Sequence, residues 1–138
     1  MQVKDAMVHW DNLVIASPSD TVNNAMEKMV KHNVGSVIVT QVKNKAIGIL
    51  TTQDIMVEIL KSGSVGLETT LNKIISTNLI TIDESELLNQ AIQKMEESRT
   101  HHLIVTVDRG KVIGILSSYD IVRERSLEIK AHPRSNTK

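Results

Sequence analysis

The sequence predicts a mixed α/β (α+β) fold built from two copies of one β-α-β-β-α unit. Shifting the chain of 138 residues by 66 positions aligns 19–58 with 85–124 without a gap, and 16 of those 40 pairs are identical. Apolar runs typical of strands and periodicities typical of helices recur in the same order in both copies. An internal repeat of this kind predicts that each copy forms the same supersecondary unit.

Each copy opens with a short apolar run followed by turn residues, "LVIAS" at 13–17 and "LITID" at 79–83, which predicts a strand. A helix follows, because apolar residues recur at helical spacing. In the first copy its apolar face comprises Val22, Ala25, Met26, Met29 and Val30. In the second copy it comprises Leu88, Ala91, Ile92 and Met95.

Two β-rich runs come next in each copy, "SVIVTQV" and "KAIGIL" in the first. Lys43-Asn44 and, in the second copy, Arg109-Gly110 have the composition of hairpin turns. A second helix is predicted to begin near Thr52 or Ser118.

We expect the first repeat at 1–61, a linker at 62–70, the second repeat at 71–128 and a flexible basic tail at 129–138. One unit of about 55 residues buries too little apolar surface to be stable alone. The two copies are therefore expected to pair face to face about a pseudo-twofold axis, which would create two equivalent clefts.

Composition narrows the function classes. Sixteen basic residues balance sixteen acidic ones, and cysteine is absent, so disulfides, thiolate nucleophiles and cysteine-ligated zinc are excluded. The N-terminus has no signal-peptide pattern and no apolar run reaches about 18 residues, so no membrane association is expected and cytoplasmic localisation is predicted. Nucleic-acid binding would rest only on the tail's Lys130, Arg134 and Lys138.

The segment "GILTTQDI" at 48–55 returns as "GILSSYDI" at 114–121. Thr51 with Asp54, and Ser117 with Asp120, have the spacing of an N-terminal capping pair. The same spacing suits a ligand: the helix N-terminus attracts phosphate, the hydroxyl donates to it, and the carboxylate accepts from ribose hydroxyls. Gly48 is expected to keep the strand slim where the ligand approaches. The structural and the ligand-binding interpretations are compatible.

Residues 1–125 resemble a tandem cystathionine β-synthase (CBS) domain pair, or Bateman module. The resemblance is carried by "VKDAM", "HNVGSVIV", "THHLIV" and the two segments just described. It implies a regulatory module without a required cofactor that binds an adenosine-containing ligand: AMP, ADP or ATP, or else S-adenosylmethionine or NAD. With only Trp10 and Tyr119 as aromatic residues, adenine would lie among aliphatic groups.

The resemblance also implies which residues contact the ligand. Asp54 and Asp120 match the ribose-binding aspartate of the family motif, and Thr51 and Ser117 match the hydroxyl at its start. Candidates near adenine in one site are Val14, Val34 and Val37. Those in the other site are Ile80, Thr100 and Leu103. Thr81 matches a family hydroxyl near the first strand of the second copy.

Several positions depart from the family pattern and make the two sites unequal. Ala16 replaces the hydroxyl that Thr81 supplies. Gln53 and Tyr119 stand where a basic residue often precedes the motif aspartate. His101-His102 replaces an arginine–histidine pair and is expected to reach the cleft of copy one, whereas Gly35 and Ser36 face the other cleft. We expect at most one good site, with phosphate affinity in copy one that depends on histidine protonation near pH ~6.5.

No catalytic set emerges, because nucleophile-elbow, Walker A and dinucleotide fingerprints are absent, so we expect no enzyme. Adjacent histidines on a strand point to opposite faces, which disfavours a metal site. Trp10 lies in an insertion that the second copy lacks. It could cover the cleft edge, lie at a subunit interface or pack on the first helix.

Two hypotheses remain. The first is an adenine-nucleotide sensor, a homodimer that signals energy status to an unknown effector protein. The second is a dimerisation scaffold without ligand, which would use the apolar second helix to contact another subunit. That helix presents Ile55, Met56, Ile59 and Leu60.

Overall fold

The computed structural model describes residues 1–42 and 45–131, with side chains up to residue 126. The fold is mixed α/β with two sheets, as predicted. In chain order its helices and strands are α1 (Val3–Ala6), β1 (Val8–His9), β2 (Ile15–Ala16), α2 (Val22–His32), β3 (Ser36–Val42), β4 (Lys45–Thr51), α3 (Thr52–Ser62), β5 (Thr81–Asp83), α4 (Leu88–Ser98), β6 (His102–Val107), β7 (Lys111–Ser117) and α5 (Ser118–Ala131).

The chain forms two compact units that do not follow the order of the sequence. Unit 1 contains Met1–Trp10 together with the chain from Ile80 onward, and unit 2 contains Asp11–Leu79. The first ten residues of repeat one thus fold with the strands of repeat two. Residues 71–79, expected to open repeat two, fold with repeat one. Pairing of the repeats about a pseudo-twofold axis stays a prediction.

Unit 2 has a three-stranded sheet in the order β2-β3-β4. Strand β2 runs parallel to β3, and β3 runs antiparallel to β4. Two 3₁₀ helices, Gly63–Glu68 and Leu71–Lys73, follow α3 in the unit. The buried core comprises Ala16, Val22, Ala25, Met29, Val37, Val39, Leu50, Ile55 and Leu71.

Unit 1 has a four-stranded sheet in the order β1-β7-β6-β5, in which β5 is parallel to β6 and the other pairs are antiparallel. The turn between β6 and β7 passes through Asp108, Arg109 and Gly110, all with positive φ. The predicted turn at Arg109-Gly110 is therefore confirmed, whereas Lys43-Asn44 lies outside the described residues. The core comprises Val3, Ala6, Ile82, Leu88, Ala91, Met95, Leu103, Val105, Leu116 and Ile121.

The apolar faces of α2 and α4 pack as predicted with one exception. Val22, Ala25 and Met29 are buried, and their counterparts in α4 are buried too. Val30 is 81% exposed, so its assignment to the buried face is wrong. At about 100° per residue, Val30 lies about 80° from Val22 and falls at the edge of the stripe.

The two motif glycines make room for the chain itself. A Cβ at Gly114 would fall on the carbonyl oxygen of Val8, because β1 pairs along β7 at this point. A Cβ at Gly48 would lie 2.6 Å from the side-chain end of Ile75 and 3.0 Å from the carbonyl oxygen of Ser76. The expectation that Gly48 makes space for a ligand is therefore wrong, since Ile75 already fills that space.

Candidate functional site

In each unit the repeated segment forms a strand–helix junction. Residues 51–54, the Asp54 junction, connect β4 to α3 in unit 2. Residues 117–120, the Asp120 junction, connect β7 to α5 in unit 1. Because each aspartate is the third residue of its helix, its carboxylate lies in the first turn, where free backbone N–H groups and the helix dipole favour negative charge.

The Asp54 junction is closed by a reciprocal capping box. The Thr51 backbone N–H donates to Asp54 Oδ2 at 2.8 Å, and the Asp54 backbone N–H donates to Thr51 Oγ1 at 3.4 Å. The Thr51 hydroxyl also donates to Oδ2 at 3.0 Å. The predicted capping pair is confirmed here. Within the described residues the hydrogen bonds to this carboxylate use Oδ2 alone.

The Asp120 junction repeats the box with a different setting for the carboxylate. Ser117 N–H donates to Asp120 Oδ2 at 2.9 Å, and Asp120 N–H donates to Ser117 Oγ at 3.1 Å. Asp120 is only 4% exposed, whereas Asp54 is half-buried. Its Oδ1 lies 3.9 Å from Nη2 of Arg123, one turn further along α5.

Arg123 is the residue at this site that sequence reasoning did not single out. The signal for it is its position three residues after Asp120, which places both side chains on one face of the helix. At the aligned position of the first copy stands Val57, which is 43% exposed.

The strand beside each helix start brings further predicted residues to the junction of its own unit. Ser36 pairs with Thr51, and the Gly35 carbonyl accepts from Thr52 N–H at 3.2 Å. His102 pairs with Ser117, and the His101 carbonyl accepts from Ser118 N–H at 2.9 Å. His101 is exposed and His102 is half-buried. That the side chains of His101 and His102 extend to the cleft of copy one stays a prediction.

The residues predicted near adenine differ in how much surface they offer. Val37 and Leu103 are fully buried in the cores of their units, so their side chains present no surface to a ligand in this structure. Val14 and Ile80 are half-buried, and their carbonyls accept backbone N–H groups of the neighbouring strand. Val34 is exposed.

Thr100 and Thr81 both keep some exposed surface in unit 1. The Thr100 hydroxyl donates to the His102 carbonyl at 3.1 Å, which fixes the start of β6. Thr81 is exposed at the start of β5. It pairs with Ile104 as Ile15 pairs with Ile38, so Ile15, and not the buried Ala16, holds the corresponding place in unit 2. The expected correspondence of Ala16 with Thr81 is therefore wrong, and ligand contact by Thr100 and Thr81 stays a prediction.

Trp10 is 5% exposed, so little of its ring is left for a subunit interface. Among the described residues, no group of three or more histidine or acidic side chains is placed to hold a metal ion. Nor does any helix in that part of the chain have the length and apolarity needed to cross a bilayer. The tail at 132–138, including Arg134 and Lys138, and the side chain of Lys130 lie outside the described residues.

The comparisons with known proteins agree with this architecture. The CBS domain family model matches residues 3–61 and 71–127. MK0525, an uncharacterized protein of Methanopyrus kandleri, is 30% identical over 112 residues, which are 81% of this chain and 57% of that protein. The chain thus spans little more than half of this relative's length.

Two similar solved structures contain adenosine compounds. One is the CBS domain pair of protein MJ0100 in complex with 5'-methylthioadenosine and S-adenosyl-L-methionine, with 25% identity and a TM-score of 0.77 over 93% of this chain and 98% of that one. The other is CBSX2 in complex with AMP, with 26% identity and a TM-score of 0.76 over 94% and 98% of the two chains.

Proposed function

Because the chain belongs to the CBS domain family, we propose that it is a non-catalytic regulatory module that binds an adenosine-containing ligand at its two strand–helix junctions. AMP, ADP and ATP are the first candidates, with S-adenosylmethionine and NAD as further ones. The observation that carries the proposal is the capped aspartate, in which one carboxylate oxygen closes the helix and the other makes no hydrogen bond within the described residues.

The capping box prepares the aspartate for ribose. Oδ2 of Asp54 and of Asp120 is held by backbone N–H donors at 2.8 and 2.9 Å, so the carboxylate is fixed before a ligand arrives. A group ordered in advance loses less entropy on binding. Oδ1 can then accept from the 2' and 3' hydroxyls of ribose, and the dipole at the helix start favours a phosphate nearby.

The solved relatives support the ligand class. AMP in CBSX2 and the two adenosine derivatives in MJ0100 share the ribose and adenine groups that a carboxylate and an aliphatic surface would hold. Placement of the ligand in clefts between the repeats stays a prediction, as do cytoplasmic localisation and signalling of energy status to an effector protein.

The test is a thermal-shift and calorimetric titration with AMP, ADP, ATP, S-adenosylmethionine and NAD. A ligand at 100 times its dissociation constant should stabilise the fold by about 2.7 kcal/mol. Asp54→Asn and Asp120→Asn keep a capping oxygen but remove the charge, so each should weaken ligand binding more than it weakens the fold. Asp83→Asn, an exposed acid of unit 1 away from the junctions, is the matched control. If no ligand stabilises the protein, the proposal is wrong.

A second function, assembly of two copies, is favoured by the outer face of α3. Met56 is 61% exposed and Leu60 is 85% exposed, whereas Ile55 is buried and Ile59 half-buried. Of the four apolar residues that the sequence placed on the exposed face of this helix, only Met56 and Leu60 are therefore available to a second copy. Exposed apolar side chains on one helix face suit contact with a second copy. Sedimentation of Met56→Glu and Leu60→Glu variants should show monomers if α3 forms the dimer interface.

A further inference from the structure

The two junctions differ at the position three residues after the aspartate. In unit 1 this position holds Arg123, and in unit 2 it holds Val57. Both side chains lie on the second turn of their helices and both retain exposed surface, 46% for the arginine side chain and 43% for the valine. The repeat therefore provides two equivalent frameworks, one with a cation beside the aspartate and one with an apolar group.

The guanidinium of Arg123 has N–H donors that Asp120 does not use. Its Nη2 lies 3.9 Å from Asp120 Oδ1, which is longer than a hydrogen bond, so the contact is an ion pair without a directed bond. A guanidinium carries five N–H donors in a planar fork that matches the oxygens of phosphate. An ion pair at 3.9 Å whose arginine side chain is 46% exposed to water contributes little to stability. Helix stability is therefore a weak reason for an arginine at this position.

Because Asp120 is negatively charged, a nearby cation would favour the binding of a nucleotide, whose phosphate is also negatively charged. A carboxylate that holds ribose lies within a few ångströms of the phosphate attached to the same sugar, and two negative groups at that distance repel each other. Because Asp120 is almost fully buried, water screens this repulsion poorly. Arg123 offsets the repulsion in unit 1. Val57 cannot do so in unit 2.

We propose that Arg123 determines ligand preference, selecting phosphate-bearing adenosine ligands at the Asp120 junction, whereas Val57 leaves the Asp54 junction to adenosine derivatives without a phosphate. This inference rests on the proposed function and assigns a different ligand class to each junction.

The experiment measures AMP and adenosine binding by calorimetry with one junction inactivated at a time. In the Asp54→Ala background, which retains the Asp120 junction, AMP should bind about tenfold more tightly than adenosine, and the ratio should fall as salt is raised. Adding Arg123→Gln should lower the ratio below about three. In the Asp120→Ala background the ratio should be near one, and Val57→Arg should raise it several-fold.

Arg125→Gln is the matched control. Arg125 is an exposed arginine of the same helix that donates to Asn89 Oδ1 at 2.8 Å, away from Asp120, so its loss should leave the AMP-to-adenosine ratio unchanged. A ratio that survives Arg123→Gln would overturn the inference while the proposed function stands. Failure of both AMP and adenosine to bind the unmodified protein would overturn the proposed function and this inference with it.

Discussion

Asp54 and Asp120 close the same capping box, yet their surroundings differ in burial and charge. Asp54 is half-buried, with Ser36 on the neighbouring strand and Gly35 just before that strand. Asp120 is 4% exposed and has Arg123 beside its second oxygen. The two backbone bonds of the cap are thus the same in both copies. The copies differ in the Thr51 hydroxyl, which also donates to Asp54 Oδ2, and in the surroundings of the oxygen that the cap does not use.

The motif glycines differ in a similar way. Gly114 faces the backbone of β1, which cannot move without breaking its pairing with β7. Gly48 faces the end of the flexible Ile75 side chain, with the Ser76 carbonyl slightly further away. The same sequence position therefore tolerates added volume to different degrees, because different segments of the chain cover it.

The largest expected effect separates these two glycines. Gly114→Ala should destabilise the protein by about 3 kcal/mol, because the new methyl group meets a backbone carbonyl, and Gly48→Ala by about 1 kcal/mol, because Ile75 can change rotamer. Urea denaturation of both variants measures the difference. Equal losses would mean that β1 shifts as easily as a side chain, and the comparison of the two glycines would then fail.

Much of this arrangement could be predicted from the sequence, because it depends on local patterns. The order of helices and strands within a repeat and both capping pairs follow from spacings of a few residues, and the repeat itself follows from one constant shift of 66 positions. The residues that pack against the two motif glycines could not be predicted in this way. Strand β1 has only Val8 and His9, too few residues to show a period, and it pairs with β7 about a hundred residues away along the chain.

The candidate site was predicted in part for the same reason. Asp54 and Asp120 stand out because the motif occurs twice, whereas Arg123 interrupts the repeat and shows its relevance only through its distance to Asp120. Burial was the least predictable property. Val37 and Leu103 have the same apolar character as exposed Val34, and only the folded strands show which of them face the core.

A middle-sized effect tests the difference in burial. Asp120→Ala should destabilise the protein by about 2 kcal/mol, because it leaves the Ser117 N–H without its acceptor at a buried site. Asp54→Ala should cost about 1 kcal/mol, the usual loss for a helix cap in partial contact with water. Chemical denaturation without ligand measures both values. A larger loss for Asp54→Ala would show that burial does not govern the cost of removing the cap.

The smallest effect concerns Asp83, which is the last residue of β5 in unit 1 and has Ser17 as its aligned residue in unit 2. The Ser85 hydroxyl donates to Asp83 Oδ1 at 2.6 Å and its backbone N–H at 2.9 Å. These bonds, the hydroxyl first, hold the pKa of Asp83 below the ordinary value of 3.8.

Because the folded pKa of Asp83 is lowered, its ionised form adds stability that is fully present above the unfolded pKa and is lost as pH falls through the folded pKa. Ser85→Ala removes the hydroxyl donor and should raise the pKa of Asp83 towards 3.8 while the backbone donor keeps part of the shift. Ser19→Ala, at the aligned position of unit 2, should leave that pKa unchanged. Carboxyl-carbon NMR titration distinguishes the variants. An Asp83 pKa that is the same in all three proteins would mean that the hydroxyl does not hold the charge, and this difference between the units would then lie in the backbone turn alone.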